Sequence, residues 1–201
     1  SIVSPYANGL DGGSYNGSDR IPEYVGNGLY TLRFAGMSQG GGGPGQVILT
    51  NASVDPGPYT GGLTFADAAG DSVTITPGRI TDITNNGTSV LLQANNDITV
   101  NADIITVPVY DAGDLVMEAG RSILVNANID TGGGNLMLWA NSAGANAAHR
   151  DAGAGGITMA AGTTITLGGG DMIAKVDTGA GGGKAGGSIH LGTIIGGEGL
   201  F

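Results

Sequence analysis

Ser89-Val90-Leu91-Leu92-Gln93-Ala94-Asn95-Asn96-Asp97-Ile98-Thr99-Val100-Asn101-Ala102-Asp103-Ile104 and Asp114-Leu115-Val116-Met117-Glu118-Ala119-Gly120-Arg121-Ser122-Ile123-Leu124-Val125-Asn126-Ala127-Asn128-Ile129 are one phrase written twice, 25 residues apart. Each contains two apolar strips, and the step from alanine to isoleucine is the same in both copies, Ala94 to Ile98 and Ala119 to Ile123. The first strip returns as Asn135-Leu136-Met137-Leu138-Trp139-Ala140 and more loosely as Asp171-Met172-Ile173-Ala174-Lys175-Val176. Looser copies of the second are Ile157 to Ile165 and Ser188 to Ile194.

Copies starting at 89, 114, 135 and 171 are separated by 25, 21 and 36 residues. The strips are short, alternate apolar with polar or small residues, and are rich in β-branched side chains, which is the pattern of half-buried strands. Asn95-Asn96-Asp97, Gly120-Arg121-Ser122 and Gly132-Gly133-Gly134 supply turns between them. One such coil cannot bury its apolar face, whereas coils stacked about 4.8 Å apart can. The spacing therefore predicts a β-solenoid with Ile98 over Ile123 and Ile104 over Ile129 inside, and Asn101 over Asn126 outside or at a corner. The extra length of the third copy is placed in an insertion loop over 141–156. Pro77 to Asn86 is the one stretch that reads as a helical turn or a cap before the first regular coil.

Outward from the repeat, the chain divides into an irregular N-terminal β/loop region at 1–70, a possible cap or assembly segment, and solenoid coils at 71–201. Of 201 residues 41 are Gly, yet Gly does not recur at every third position, which excludes collagen. Leu, Ile, Val and Phe number 46, just above the share of about 20% below which chains stay disordered, so a narrow core is expected. There is no Cys, hence no disulfide scaffold and no thiol chemistry. Net charge is -10, and the seven basic residues are scattered from Arg20 to Lys184. No basic stripe is present for nucleic acid, and no apolar run is long enough for membrane insertion.

Several residue sets invite a chemical reading. Asp97, Asp103, Asp111, Asp114 and Asp130 offer carboxylates for glycoside hydrolysis or Ca²⁺. Asn128 occupies the place of Asp103 in the next copy, however, and catalysis would not accept an amide for its carboxylate. Asp11, Asn16 and Asp19 are the candidate Ca²⁺ ligands in a polar turn that lacks the spacing and closing Glu of an EF-hand. His149 and His190 are the only histidines; the first is expected solvated in the insertion loop, the second outward on a strand. Gly40 to Gly45 lacks the Lys-Ser/Thr of a phosphate loop. Trp139, at a position held by Gln93 and Glu118 in earlier copies, is expected to face outward beside the loop, and with His149 and Arg150 forms the ligand-contact set. Asn16, Asn51 and Asn86 begin glycosylation sequons. No catalytic residue, cofactor or firm metal site is expected.

The coil phrases resemble a known family. Thr74 to Thr88 leading into Leu91 to Asn101, Glu118 to Ile129, and Gly155-Gly156-Ile157-Thr158-Met159-Ala160-Ala161-Gly162-Thr163 are similar to coils of filamentous-haemagglutinin-like adhesins. The resemblance covers roughly residues 65 to 195, and the Asn-Pro-Asn-Gly signature of that family's secretion domain is absent. It implies a right-handed parallel β-helix and a large secreted bacterial exoprotein. The expected function is thus a non-enzymatic structural or adhesive rod, secreted or on the bacterial cell surface. Its expected partners are either itself, end to end in a filament, or the rest of a larger exoprotein, with surface glycans as a further candidate. The alternatives are a glycan-binding module or a carbohydrate-active enzyme on a β-helix.

Overall fold

A computed structural model describes residues 23–24, 29–31, 47–49, 65, 72–108, 110–179 and 185–196. Four short elements come first: β1 (Glu23–Tyr24), β2 (Leu29–Thr31), β3 (Val47–Leu49) and β4 (Val73–Ile75), followed by the helix α1 (Pro77–Thr84). Four rounds of three strands follow. They are β5 (Ser89–Ala94), β6 (Ile98–Val100) and β7 (Ile104–Ile105); then β8 (Leu115–Ala119), β9 (Ile123–Val125) and β10 (Ile129–Asp130). The third round is β11 (Leu136–Ala140), β12 (Gly155–Met159) and β13 (Thr164–Thr166), and the last is β14 (Met172–Val176), β15 (Gly186–His190) and β16 (Thr193–Ile195).

The strands form three sheets, in the orders β1-β2-β5-β8-β11-β14, β4-β3-β6-β9-β12-β15 and β7-β10-β13-β16. Among the described residues every pairing is parallel except β1 with β2. From β5 onward the chain visits the first, second and third sheets in turn, four times. The described chain is thus mostly strand in parallel sheets with little helix, consistent with a parallel solenoid.

The registers are those of the repeat. Ile98 pairs with Ile123 and Ile123 with Ile157; Ile104 pairs with Ile129, Ile129 with Ile165, and Ile165 with Ile194. Strand side chains alternate between faces, and the inward ladders Val90–Leu115–Leu136 and Leu92–Met117–Leu138 are buried. Strands of two to six residues become stable because each neighbour presents the same apolar side chain at the same place.

At the corners, polar side chains tie one round to the next. Ser89 Oγ accepts the Asp114 N–H at 3.0 Å, Asp114 Oδ1 that of Asn135 at 2.9 Å, and Asn135 Oδ1 that of Asp171 at 2.8 Å. A second ladder runs from Asp103 Oδ1 to the Asn128 N–H at 2.8 Å and from Asn128 Oδ1 to the Thr164 N–H at 2.9 Å. Each rung needs only an acceptor oxygen, which carboxylate and amide both carry. Asn128→Asp is therefore expected to shift stability by no more than about 0.5 kcal/mol, whereas Asn128→Ala loses the bond and costs about 1 kcal/mol in urea unfolding.

The Pro77 stretch is a helix. Pro occupies its first turn after Thr76, where a missing N–H costs nothing. Ile80 and Ile83 are buried, and Thr84 Oγ1 lies 2.9 Å from Thr106 Oγ1. The helix packs against β7 and β5, and so covers the terminal strand of the third sheet. Within the region 1–70, expected to be irregular, β2 and β3 extend the first and second sheets in parallel register with β5 and β6. The insertion is shorter than expected: Gly155 and Gly156 belong to β12, where Gly155 pairs with Gly186. The position takes no side chain, because a Cβ at Gly155 would lie 2.4 Å from Arg121 O.

Candidate functional site

The loop between β11 and β12, residues 141–154, folds back over the corner that joins the first sheet to the second in the two preceding rounds. It begins at Asn141, whose φ of 52° is a left-handed conformation that Asn tolerates better than most residues. Ser142 is buried and donates to Glu118 Oε1 at 2.6 Å while accepting the Gly144 N–H at 3.1 Å. The Asn146 N–H reaches Asn95 Oδ1 at 2.7 Å, and Asn96 Nδ2 reaches Asp151 Oδ2 at 2.7 Å.

Two arginines lock this contact. Arg121 forks onto Asp97, with Nε to Oδ1 at 2.8 Å and Nη2 to Oδ2, and also lies 3.8 Å from Asp151 Oδ2. The hydrogen bond to Asp97 raises the Arg121 pKa against the opposing effect of burial. Arg150 is only 4% exposed; it donates to Gly120 O at 2.7 Å, Asp151 O at 2.7 Å and Asn141 Oδ1 at 2.6 Å. Burial, and then the charge of Arg121, lower its pKa. A guanidinium remains protonated through such shifts, so both are cations at neutral pH.

The outer face of the first sheet carries the ladder Gln93–Glu118–Trp139–Lys175 on successive rungs. Gln93 Nε2 donates to Glu118 Oε2 at 2.7 Å. Trp139 Nε1 donates to Asp177 Oδ2 at 3.0 Å, and Lys175 Nζ stands 3.8 Å from the centroid of the indole and 3.3 Å from Asp177 Oδ1. The indole thus makes a cation–π contact with its neighbour in the next round. A sugar stacking on that face would first have to displace the ammonium.

The predicted contact residues are therefore spread over different settings. Trp139 is on the outer face as expected, but its N–H and one ring face are engaged. Arg150, named with Trp139 and His149 as a ligand-contact candidate, is buried as the pin that holds the loop down. His149 ends the short 3₁₀ turn Ala147–His149 and is half-exposed; His190 is exposed on β15. Asp11, Asn16 and Asp19 lie outside the described residues. Of the carboxylates weighed for catalysis, Asp97 binds Arg121 and the Ser122 N–H, and Asp103, Asp114 and Asp130 each accept a backbone N–H. Among the described residues no three His, Asp or Glu side chains converge as metal ligands would.

The burial of Glu118 and Arg150 had no signal in the repeat, since it comes from a loop that only one round possesses. Lys175 over Trp139 did have one, because the alignment of the third and fourth copies sets these residues on one rung. No family model, curated protein or solved structure matches this chain. What the arrangement offers chemically is a stiff surface whose polar groups are mostly spent on each other.

Proposed function

We propose that this chain is a segment of a right-handed parallel β-solenoid that serves as a stiff, non-enzymatic structural or adhesive element of a secreted bacterial surface protein of the filamentous-haemagglutinin-like kind. The observation that carries the reading is the continuity of the ladders: four rounds stack apolar on apolar inside while acceptor oxygens tie the corners. Such a stack resists bending because backbone hydrogen bonds run along its length. Of the five carboxylates weighed for hydrolysis, Asp97, Asp103, Asp114 and Asp130 are engaged by backbone N–H groups or by Arg121, which leaves Asp111 and weighs against a facing catalytic pair. The pinned loop 141–154 and the Trp139 ladder are the surfaces it would display, with glycans or the rest of a larger exoprotein as partners.

Beads coated with the protein are expected to be retained on epithelial monolayers or immobilised glycans, with no reducing sugar released from soluble polysaccharides. Retention that disappears in Trp139→Ala would shift the assignment to a dedicated glycan-binding module. Release of reducing ends, or beads that wash off every surface, would remove the adhesive reading.

A further inference from the structure

In a solenoid each round touches only its neighbours, so opening spreads one round at a time. The corner ladders obey that pattern: Ser89 to Asp114 to Asn135 to Asp171, and Asp103 to Asn128 to Thr164, each join adjacent rounds only. The loop 141–154 does not. It leaves the third round between β11 and β12, yet two of its residues bond to the first round. The Asn146 N–H donates to Asn95 Oδ1 and Asn96 Nδ2 donates to Asp151 Oδ2, both at 2.7 Å, across 51 and 55 residues of sequence.

The second round is tied into the same contact. Ser142 donates to Glu118 Oε1 at 2.6 Å, and Arg150 Nε to Gly120 O at 2.7 Å. Arg121 spans the other two rounds, forked onto Asp97 of the first while its Nη1 donates to Ala152 O of the third at 3.4 Å. Asn95, Asn96, Glu118, Ser142 and Arg150 are all buried. Their hydrogen bonds hold only while three rounds and the loop stay together. Depriving one such group of its partner weights the opening equilibrium roughly 10- to 100-fold against the opened state.

We infer that the loop 141–154 is a mechanical clamp that makes the first three rounds open as one unit. The inference rests on the stacked rounds of the proposed solenoid and adds where such a rod holds tension. A pull from the C-terminal side of the chain reaches β12 before the loop. Peeling β12 away then draws first on Asp151 and Arg150, next on Asn146, and last on Ser142. Once these part, the corners of the first and second rounds lose their cover, and both rounds follow without a further comparable barrier.

Hydrogen exchange of the full chain in increasing sub-denaturing urea, followed by mass spectrometry, reads the opening of each round separately. Amides of β5, β8 and β11 are expected to exchange through a single common opening in the wild type. Arg150→Met should separate them, with β11 opening about a hundredfold more often than β5. Asn128→Ala removes a tie between adjacent rounds, and should raise all three openings together, about fivefold. Asn96→Asp sets a second carboxylate against Asp151 with the side-chain volume kept. It should also part β5 from β11, and it decides the matter where Arg150→Met does not fold. Separate openings in the wild type, or β5 and β11 still opening together in the variants, would overturn the inference. Strands with no protected amides would sink the stacked solenoid itself, and this inference with it. Bead retention is independent of every one of these outcomes and bears on adhesion alone.

Discussion

Gly134→Ala is expected to destabilise the protein by about 3 kcal/mol or more in equilibrium urea unfolding, the upper end for adding one carbon to a packed site. Gly134 turns the chain from the third sheet back to the first, and a Cβ on it would lie 2.3 Å from Gly113 O. The same place in the neighbouring rounds is equally tight: 1.9 Å from a Gly113 Cβ to Thr88 O, and 2.1 Å from a Gly170 Cβ to Gly134 O. The obstructing atom is a backbone carbonyl in every case, so no rotamer change relieves it, and moving it strains the round below. Gly162 is the control. It has a φ of +84° with nothing within 4 Å of its Cβ position, so Ala there should cost only the left-handed penalty of about 1 kcal/mol. If Gly134→Ala proved no worse than Gly162→Ala, the corners would not be stacked as closely as described. Part of the unusual glycine content is thereby a packing requirement repeated at each of the three junctions between rounds, Gly113, Gly134 and Gly170, distinct from flexibility.

The repeat made the inner ladders legible because identical residues recur at matched steps, and stacking leaves them only one place to go. Ile98 over Ile123 and Ile104 over Ile129 follow from that alone, as does the exchange of Asp103 for Asn128. The strands β2 and β3 were harder to see. Val47-Ile48-Leu49 is apolar throughout and lacks the alternation of Ile98-Thr99-Val100, so among irregular sequence it does not declare itself a strand of the same sheet. The site was less legible than the fold for a related reason. Repeats predict what every round shares, and the pinned corner depends on what only the third round has. A lone arginine in an Ala/Gly-rich loop gives no indication of whether its guanidinium meets water or backbone carbonyls several strands away. The Asn-Ser pair at 141–142 is likewise an ordinary turn signal, and Glu118 is buried only because that turn lies on it.

Arg150→Met is expected to cost about 3 kcal/mol, because a buried acceptor deprived of its donor costs about 1–3 kcal/mol and such losses within one network do not simply add. Met keeps most of the side-chain volume, so the loss reports on the donors to Gly120 O, Asp151 O and Asn141 Oδ1 and little on packing. An opposing effect is present: burial and the nearby Arg121 both disfavour the Arg150 charge, and removing it relieves them. The network should prevail, since the guanidinium joins the start of the loop at Asn141 to its end at Asp151 and ties both to the corner at Gly120. Arg150→Lys should rescue little, because a single ammonium cannot span three acceptors held in the plane of a fork and is the more costly of the two cations to bury. The readout is local as well as global. If the lost energy falls on loop opening, elastase cleavage within 143–154 should accelerate about a hundredfold, with the strand core still folded. Equal cleavage in wild type and variant would mean that the polar contacts of Asn95, Asn96 and Ser142 hold the loop without the arginine. A Lys variant as stable as wild type would mean that charge, and not the shape of the donor set, is what the corner needs.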